Sequence, residues 1–288
     1  FVTAIGLGNY DYPGYWDQSE GGGRWDWYEK RAEGANALVI NPSASPGQSL
    51  KANAVMNGFE TAAGGGFAWS DLTSVYGDYV TSYKRGIKLY DNRSKVIIQD
   101  EAVMKAPSEI FWSINTPAKT EIIDKNTAVM SIGDKKLAMK VYANVDFDLY
   151  EMAAEKLPTS PQRAEQRVYR TYRKLAISAK NVSELKLMVE FVPYIAESDF
   201  PTDMTEWTDI DKWTADKEMN KKPEIEGISV NGEPLAGFAN KKYVYEIEYE
   251  TLPESVPSVD IVHADDINVI VTYPDMLPGK IIITAERG

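Results

Sequence analysis

Apolar residues recur at every second position along most of this chain, a period that suits half-buried strands and not helices. In Glu184–Tyr194, Leu185, Leu187, Val189 and Phe191 fall on one face, while Lys186, Met188 and Glu190 fall on the other. Ile110, Trp112 and Ile114 repeat the pattern. Gly86–Tyr90 and Lys95–Gln99 are two apolar runs separated by Asp91, Asn92, Arg93 and Ser94, and those turn-forming side chains predict a hairpin. Roughly a dozen such strands fit before residue 195. The alternation therefore predicts an all-β chain: a large antiparallel β-sandwich followed by a small immunoglobulin-like β-sandwich. The best helical pattern, near Tyr150–Lys156, is cut short by Pro158 and Pro161.

The pattern also suggests boundaries. Residues 1–198 read as the large sandwich. Residues 199–225 are polar and acidic, carry Trp207 and Trp213, keep no sustained period, and read as a linker. In residues 226–288, Tyr243, Tyr245, Ile247 and Tyr249 alternate, as do Ile267, Val269, Val271 and Tyr273, with turns marked by Pro and Gly. This is the expected immunoglobulin-like accessory domain. At 288 residues and 43% hydrophobic content the chain has material for both cores. The net charge of −12 argues against nucleic acid as a partner, and 11 acidic against 4 basic residues place −7 of it after residue 225. No apolar run approaches a membrane span. Phe1 opens without the charged and apolar regions of a leader, which reads as a start inside a longer protein.

Several chemistries are excluded by residue type. With no cysteine there are no disulfides, zinc ribbons or thiol nucleophiles. The single histidine, His263, has no nameable partners and reads as a surface or structural residue, which also removes Ser-His-Asp catalysis. The Gly runs at 21–23 and 64–66 lack the following GK[ST] of a phosphate loop. Asp100 and Glu101 read as a turn-flanking acidic pair in preference to a hydrolytic one. In Arg167–Lys174, strand alternation would put Arg167 and Arg173 on one face and Arg170 and Lys174 on the other, so no single polyanion stripe is predicted. No catalytic set can be named.

The densest feature is aromatic. Tyr10, Tyr12, Tyr15, Trp16, Trp25, Trp27 and Tyr28 stand within the first 28 residues, flanked by Arg24, Lys30 and Arg31. Flat rings beside cations suit pyranose faces and uronate carboxylates. The same residues suit packing onto the sandwich or covering an interdomain surface, and this reading carries more weight.

A resemblance emerges from phrases in order: YPGYWD (Tyr12–Asp17), RWDWYEKRAEGANALVINP (Arg24–Pro42), FAWSDLT (Phe67–Thr73), KRGIKLYDNRSKVIIQDE (Lys84–Glu101) and EIFWSINTPA (Glu109–Ala118). Over roughly residues 1–195 the chain resembles the C-terminal β-sandwich of heparinase II/III-like polysaccharide lyases. The resemblance implies an upstream helical toroid that supplies a tyrosine acid or base, and an acidic polysaccharide or oligosaccharide held in the cleft between toroid and sandwich. It also implies a place outside the cell or on a bacterial surface. In zinc-containing members two histidines and the aspartate of D-L-T hold the metal. Here Ala35 and Asn115 stand at the histidine positions, Ala37 replaces a threonine, and only Asp71 remains. The implied zinc site is thus lost and no cofactor is expected, with calcium left open by the abundance of oxygen ligands. The substrate-binding candidates are Tyr15, Trp16, Arg24, Trp25, Trp27, Tyr28, Arg31, Asn36 and Asn115. Two functions follow: the non-toroid part of a secreted lyase that supports β-elimination, or a non-catalytic carbohydrate-binding or structural module that has lost the family's histidines. A third, a glycoside hydrolase accessory domain, has only the sandwich fold in common with the chain.

Overall fold

A computed structural model describes residues 1–195, 200–216, 224–239, 242–264 and 267–287. The chain divides into two compact units, Phe1–Met219 and Asn220–Gly288.

The first unit is an antiparallel β-sandwich organised by two strands of 22 residues each, β5 (Lys95–Thr116) and β10 (Arg173–Tyr194). They pair from Arg173 opposite Thr116 to Phe191 opposite Val96, so each runs through both layers. The first half of β5 joins β4 (Val80–Tyr90), then β3 (Gly66–Asp71) and β2 (Met56–Thr61), while its second half carries β1 (Leu38–Ile40). The first half of β10 carries β9 (Asp148–Ala153), and its second half joins β8 (Lys135–Ala143), β7 (Thr127–Ile132) and β6 (Lys119–Asp124). The turn from one layer to the other falls where the register slips, between Ala179 and Glu184. There Asn181 takes φ +57°, and Pro107, which has no N–H to donate, occupies the opposite strand. Ile110, Trp112, Ile114, Leu175 and Ile177 from one layer pack with Tyr83, Leu185, Leu187 and Val189 from the other, forming the core that the alternation predicts. Ten strands precede residue 195. The predicted hairpin joins β4 to β5, with Asp91, Asn92 and Arg93 all at positive φ.

Three sequence readings change. The pattern near Tyr150–Lys156 is no helix: its first residues belong to β9, which the exposed edge of β10 recruits by backbone pairing, overriding local propensity. Strand β10 begins only at Arg173, so Arg167–Tyr172 lie in a loop and alternation does not apply to them; Arg167 and Arg170 are both exposed, and Lys174 is buried. The third concerns the linker. In its described part, residues 200–216 form a strap across the outer face of β4, β5 and β10.

Sequence alternation assigns that outer face to solvent, yet Met188 and Ile97 lie buried on it beneath Ile210 and Trp213. Hydrogen bonds fix the strap along its length. Lys140 Nζ donates to the carbonyls of Pro201, Thr202 and Asp203 at 3.1, 2.7 and 2.8 Å. Gln99 Nε2 donates to Thr208 O at 2.8 Å, and Ile210 N donates to Glu101 Oε1 at 2.7 Å. The Tyr90 and Thr205 hydroxyls both bond the buried Glu190 carboxylate. Gly86 is required beneath it, since a Cβ there would come within 2.6 Å of the Trp213 ring.

In the second unit, β11 (Ile225–Val230) pairs between β12 (Glu233–Pro234) and β13 (Val259–His263), and β14 (Ile267–Thr272) pairs with β15 (Ile282–Arg287). The alternating segment Tyr243–Tyr249 forms no strand. His263 sits on β13 with Nδ1 2.9 Å from the carbonyl oxygen of Ala264. Among the described residues no helix is long and apolar enough to cross a membrane.

The strap yields a direct expectation. Trp213→Ala destabilises the protein by about 3–5 kcal/mol in urea unfolding, the cost of emptying an aromatic core site. A residue in a solvated linker would change stability by less than about 0.5 kcal/mol.

Candidate functional site

The aromatic segment has almost no regular structure beyond single 3-10 turns at Gly23–Asp26, Tyr28–Lys30 and Ala32–Gly34. Side chains hold it instead. Trp27 stacks on Tyr12 with ring centroids 3.9 Å apart and clusters with Tyr15. Trp27 Nε1 donates to Pro13 O at 3.2 Å, and Trp25 Nε1 donates to Ser19 O at 3.0 Å. The loop before β10 closes over the segment. Tyr28 N donates to Gln166 Oε1 at 2.8 Å, Arg167 N donates to the Tyr12 hydroxyl at 3.0 Å, and Tyr169 and Gln166 both bond the Glu29 carboxylate.

On this base the seven aromatics split by role. Tyr12, Tyr15, Trp27 and Tyr28 are buried and Trp25 is half-buried, whereas Trp16 is 69% and Tyr10 51% exposed. The two exposed rings lie nearly parallel, 5.7 Å apart with 17° between planes, and Tyr15 meets both edge-on. Arg24 and Lys30 lie 4.8 and 4.9 Å from the centroid of the Tyr15 ring, and neither forms an ion pair with a carboxylate among the described residues. Arg24 Nη1 also donates to Tyr15 O at 2.9 Å, which fixes the guanidinium while leaving its charge without a carboxylate. An exposed indole next to a ring that carries two such cations can stack a sugar ring and attract an acidic group.

The other candidates face inward. Arg31 donates to the carbonyls of Trp25, Ser43, Ala44 and Ser45 and pairs with the buried Glu33, whose other oxygen accepts from Leu157 N and Ser160 Oγ. Asn36, at φ +52°, accepts from Asn115 N and Asn115 Nδ2 at 2.7 and 3.0 Å and donates to Thr3 O at 3.0 Å. Asn115 also donates to Gly34 O at 3.2 Å and accepts from the Tyr28 hydroxyl at 3.1 Å. The structure thus brings Tyr28, Asn36 and Asn115 together, but as an internal amide network whose polar atoms are engaged. Burial, reinforced by Glu33, pushes the Tyr28 hydroxyl pKa up.

Asp71 is at the exposed end of β3, where it accepts from Thr73 N at 2.8 Å. Among the described residues no group of three or more His, Cys, Asp or Glu is placed to hold a metal. Asn115 spends its amide on Tyr28, Gly34 and Asn36, and Asp71 Oδ1 accepts from Thr73 N.

Sequence reasoning misplaced two buried groups: Asp100, read as flanking a turn, lies within β5, and Lys174, grouped with the exposed Arg170, is buried. Asp100 lies in the core, accepting from the Tyr83 hydroxyl at 2.6 Å and Trp112 Nε1 at 3.0 Å, with Arg85 Nε 3.5 Å away. Arg85 in turn donates to Asn36 O at 3.3 Å. Asp100 shares a strand face with Ala102 and Met104 of the core, and that period of two was the available signal. Lys174, fully buried, donates to Glu155 O at 2.9 Å and lies over the rings of Tyr28 and Phe111, 4.6 and 5.3 Å from their centroids. Burial pulls its pKa down to about 8, against the opposing pull of Glu33 and Glu155.

No family model matches the chain by sequence, and no curated protein matches it. Solved structures do. A heparinase III gene product aligns over 99% of this chain and 34% of its own, at 10% identity and a TM-score of 0.50. A second heparinase III structure aligns over 88% of this chain and 29% of its own (12% identity, TM-score 0.42). A heparan sulfate lyase from Pedobacter heparinus aligns over 50% and 22% (13% identity, TM-score 0.39). The first is a likeness of fold, and this chain spans about a third of that protein's length.

Lys174 generates a pH expectation. Its folded pKa lies below the unfolded value near 10.4, so between about pH 8 and 10.4 the unfolded chain binds more protons and stability rises with pH. The cost of burying the charge is present in full below pH 8 and is relieved by roughly 2–3 kcal/mol through that window. Lys174→Met removes this part of the profile, which unfolding curves of the two proteins at pH 7 and pH 10 measure by difference.

Proposed function

We propose that this chain is the β-sandwich part of a heparinase II/III-like polysaccharide lyase, and that its aromatic segment binds an acidic polysaccharide. One observation carries this reading: the exposed Tyr10–Trp16 pair stands on a buried Tyr12, Tyr15 and Trp27 base with Arg24 and Lys30 beside it. The likeness of fold to a heparinase III supports it. Of the candidates, Trp16, Arg24 and Trp25 touch the glycan. Tyr15, Trp27, Tyr28 and Arg31 shape the segment beneath, and Asn36 and Asn115 hold it to the sandwich.

In this reading the helical toroid of such a lyase is the partner domain, and the acid and base of β-elimination come from it. The protein works outside the cell or on a bacterial surface, with the second unit as an immunoglobulin-like accessory domain and no zinc. A specific observation favours the second reading, a non-catalytic glycan-binding module: the residues at the family's histidine positions offer no proton carrier, Asn115 being an amide inside a closed network. Both readings share the binding surface. They part at the presence of a toroid with its tyrosine.

Two measurements check the proposal. Trp16→Ala weakens binding of a uronate hexasaccharide at least tenfold by calorimetry and leaves the unfolding midpoint unchanged, whereas Trp27→Ala loses about 3–5 kcal/mol of stability. Unaltered affinity in Trp16→Ala, or its collapse as a fold, defeats the reading. The chain by itself, incubated with heparan, chondroitin, alginate or hyaluronan, produces no ultraviolet absorbance from unsaturated uronate, because β-elimination requires a base, an acid and carboxylate neutralisation together.

A further inference from the structure

The loop between β9 and β10 is the second feature at this end of the sandwich, and nothing above gives it a task beyond packing. Its inward contacts are fully specified. Gln166 takes the Tyr28 N–H, Arg163 pairs with Asp26, Tyr169 bonds Glu29 and Arg167 N donates to the Tyr12 hydroxyl, so the loop grips the aromatic segment at Tyr12 and along Asp26–Glu29. These contacts leave Arg167 pinned by its backbone and free at its side chain. Its N–H is spent on the Tyr12 hydroxyl at 3.0 Å, its residue is exposed, and its guanidinium lies 5.3 Å from the centroid of the Tyr169 ring with no carboxylate partner among the described residues. Arg170 is exposed in the same loop, as is the apolar side chain of Val168. Tyr12 stacks on Trp27, and Trp27 clusters with Tyr15, the ring that also carries Arg24 and Lys30.

We infer that this loop is a second wall of the glycan site and that Arg167 is a specificity-determining residue, reading the carboxylate of a sugar next to the one stacked on Trp16. The inference rests on the binding reading above and adds to it the discrimination between acidic and neutral chains. Three arguments converge. A guanidinium held over an aromatic ring is oriented before ligand arrives, so little side-chain entropy is lost when a carboxylate docks on its edge. In a chain of net charge −12, cations at one end that pair with no acid leave their charge available to a ligand. The backbone anchor on Tyr12 ties the arginine to the base of the aromatic platform, so the two binding elements share one rigid support.

The experiment compares a uronate-containing hexasaccharide with the same chain after its carboxyl groups are reduced to alcohols, using the full protein. The wild type prefers the acidic chain. Arg167→Gln narrows that preference about tenfold, the scale of one charge-assisted hydrogen bond, while affinity for the reduced chain and the unfolding midpoint stay unchanged; Arg167→Lys keeps part of the preference. A merely structural loop residue would lower both affinities together, and that result overturns the assignment. So does an unchanged preference in Arg167→Gln when Trp16→Ala has lost binding, in which case the platform stands without the loop. A wild-type protein that binds neither chain removes the platform reading and this one with it.

Discussion

Everything in the first unit depends on the antiparallel pairing of β5 with β10. Two strands of this length cannot stay in one flat layer around a compact core, because a sheet twists as it extends and its far end would leave the core uncovered. The register slip at Ala179–Glu184 resolves the conflict by turning both strands together, so that the same pair faces itself across the core. Each half then presents one edge on each side, and the remaining eight strands of the unit attach to those edges. The aromatic segment, the strap and the buried networks are all placed by which half of the pair they touch.

The buried polar groups show how a large β-sandwich tolerates charge inside. Asp100 survives among apolar side chains because a phenol, an indole and a guanidinium surround it; Glu33 survives because a guanidinium, an amide and a hydroxyl do. Lys140 forms no ion pair among the described residues and is held by three successive carbonyl oxygens, much as a bare cation would be. Desolvation costs several kcal/mol for an unpaired charge, so each of these groups ties distant chain segments into one geometry. Lys174 is the weakest of the set, with a single carbonyl and two ring faces for company, and its lowered pKa reflects that.

How much of this was legible in the sequence follows from what a local pattern can encode. Leu185, Leu187, Val189 and Phe191 announce a strand and its buried face because period 2 is a property of the strand alone. The hairpin at Asp91–Ser94 is equally local. The strap was not legible: Met188 and Glu190 look like a solvent face until one knows that Ile210 and Trp213 cover it, and that knowledge lies in tertiary contact. β9 was misjudged for the same reason, since its partner residues lie 20 to 30 positions further along the chain, from Ala153 opposite Arg173 to Asp148 opposite Ser178. At the site, the aromatic density of the first 28 residues was visible, but sorting Trp16 from Trp27 required burial. Asn36 and Asn115 sat in motif positions that suggested ligand contact, and both are spent on each other.

The chain connectivity of the central pair also sets an order of events. Thr116 meets Arg173 and Val96 meets Phe191, so no part of β5 acquires this neighbour until the chain has reached residue 173, and its first residues wait until Phe191. Closing loops of that span is entropically costly before any contact rewards it, which makes sandwiches of this kind slow to assemble. During synthesis β5 would wait with one long edge open and its apolar face bare, the state most prone to pair with the wrong strand. The strap, made last of this unit, closes over a face that exists only after β10 has docked, so its seating is the final step by which a nascent chain commits to this fold.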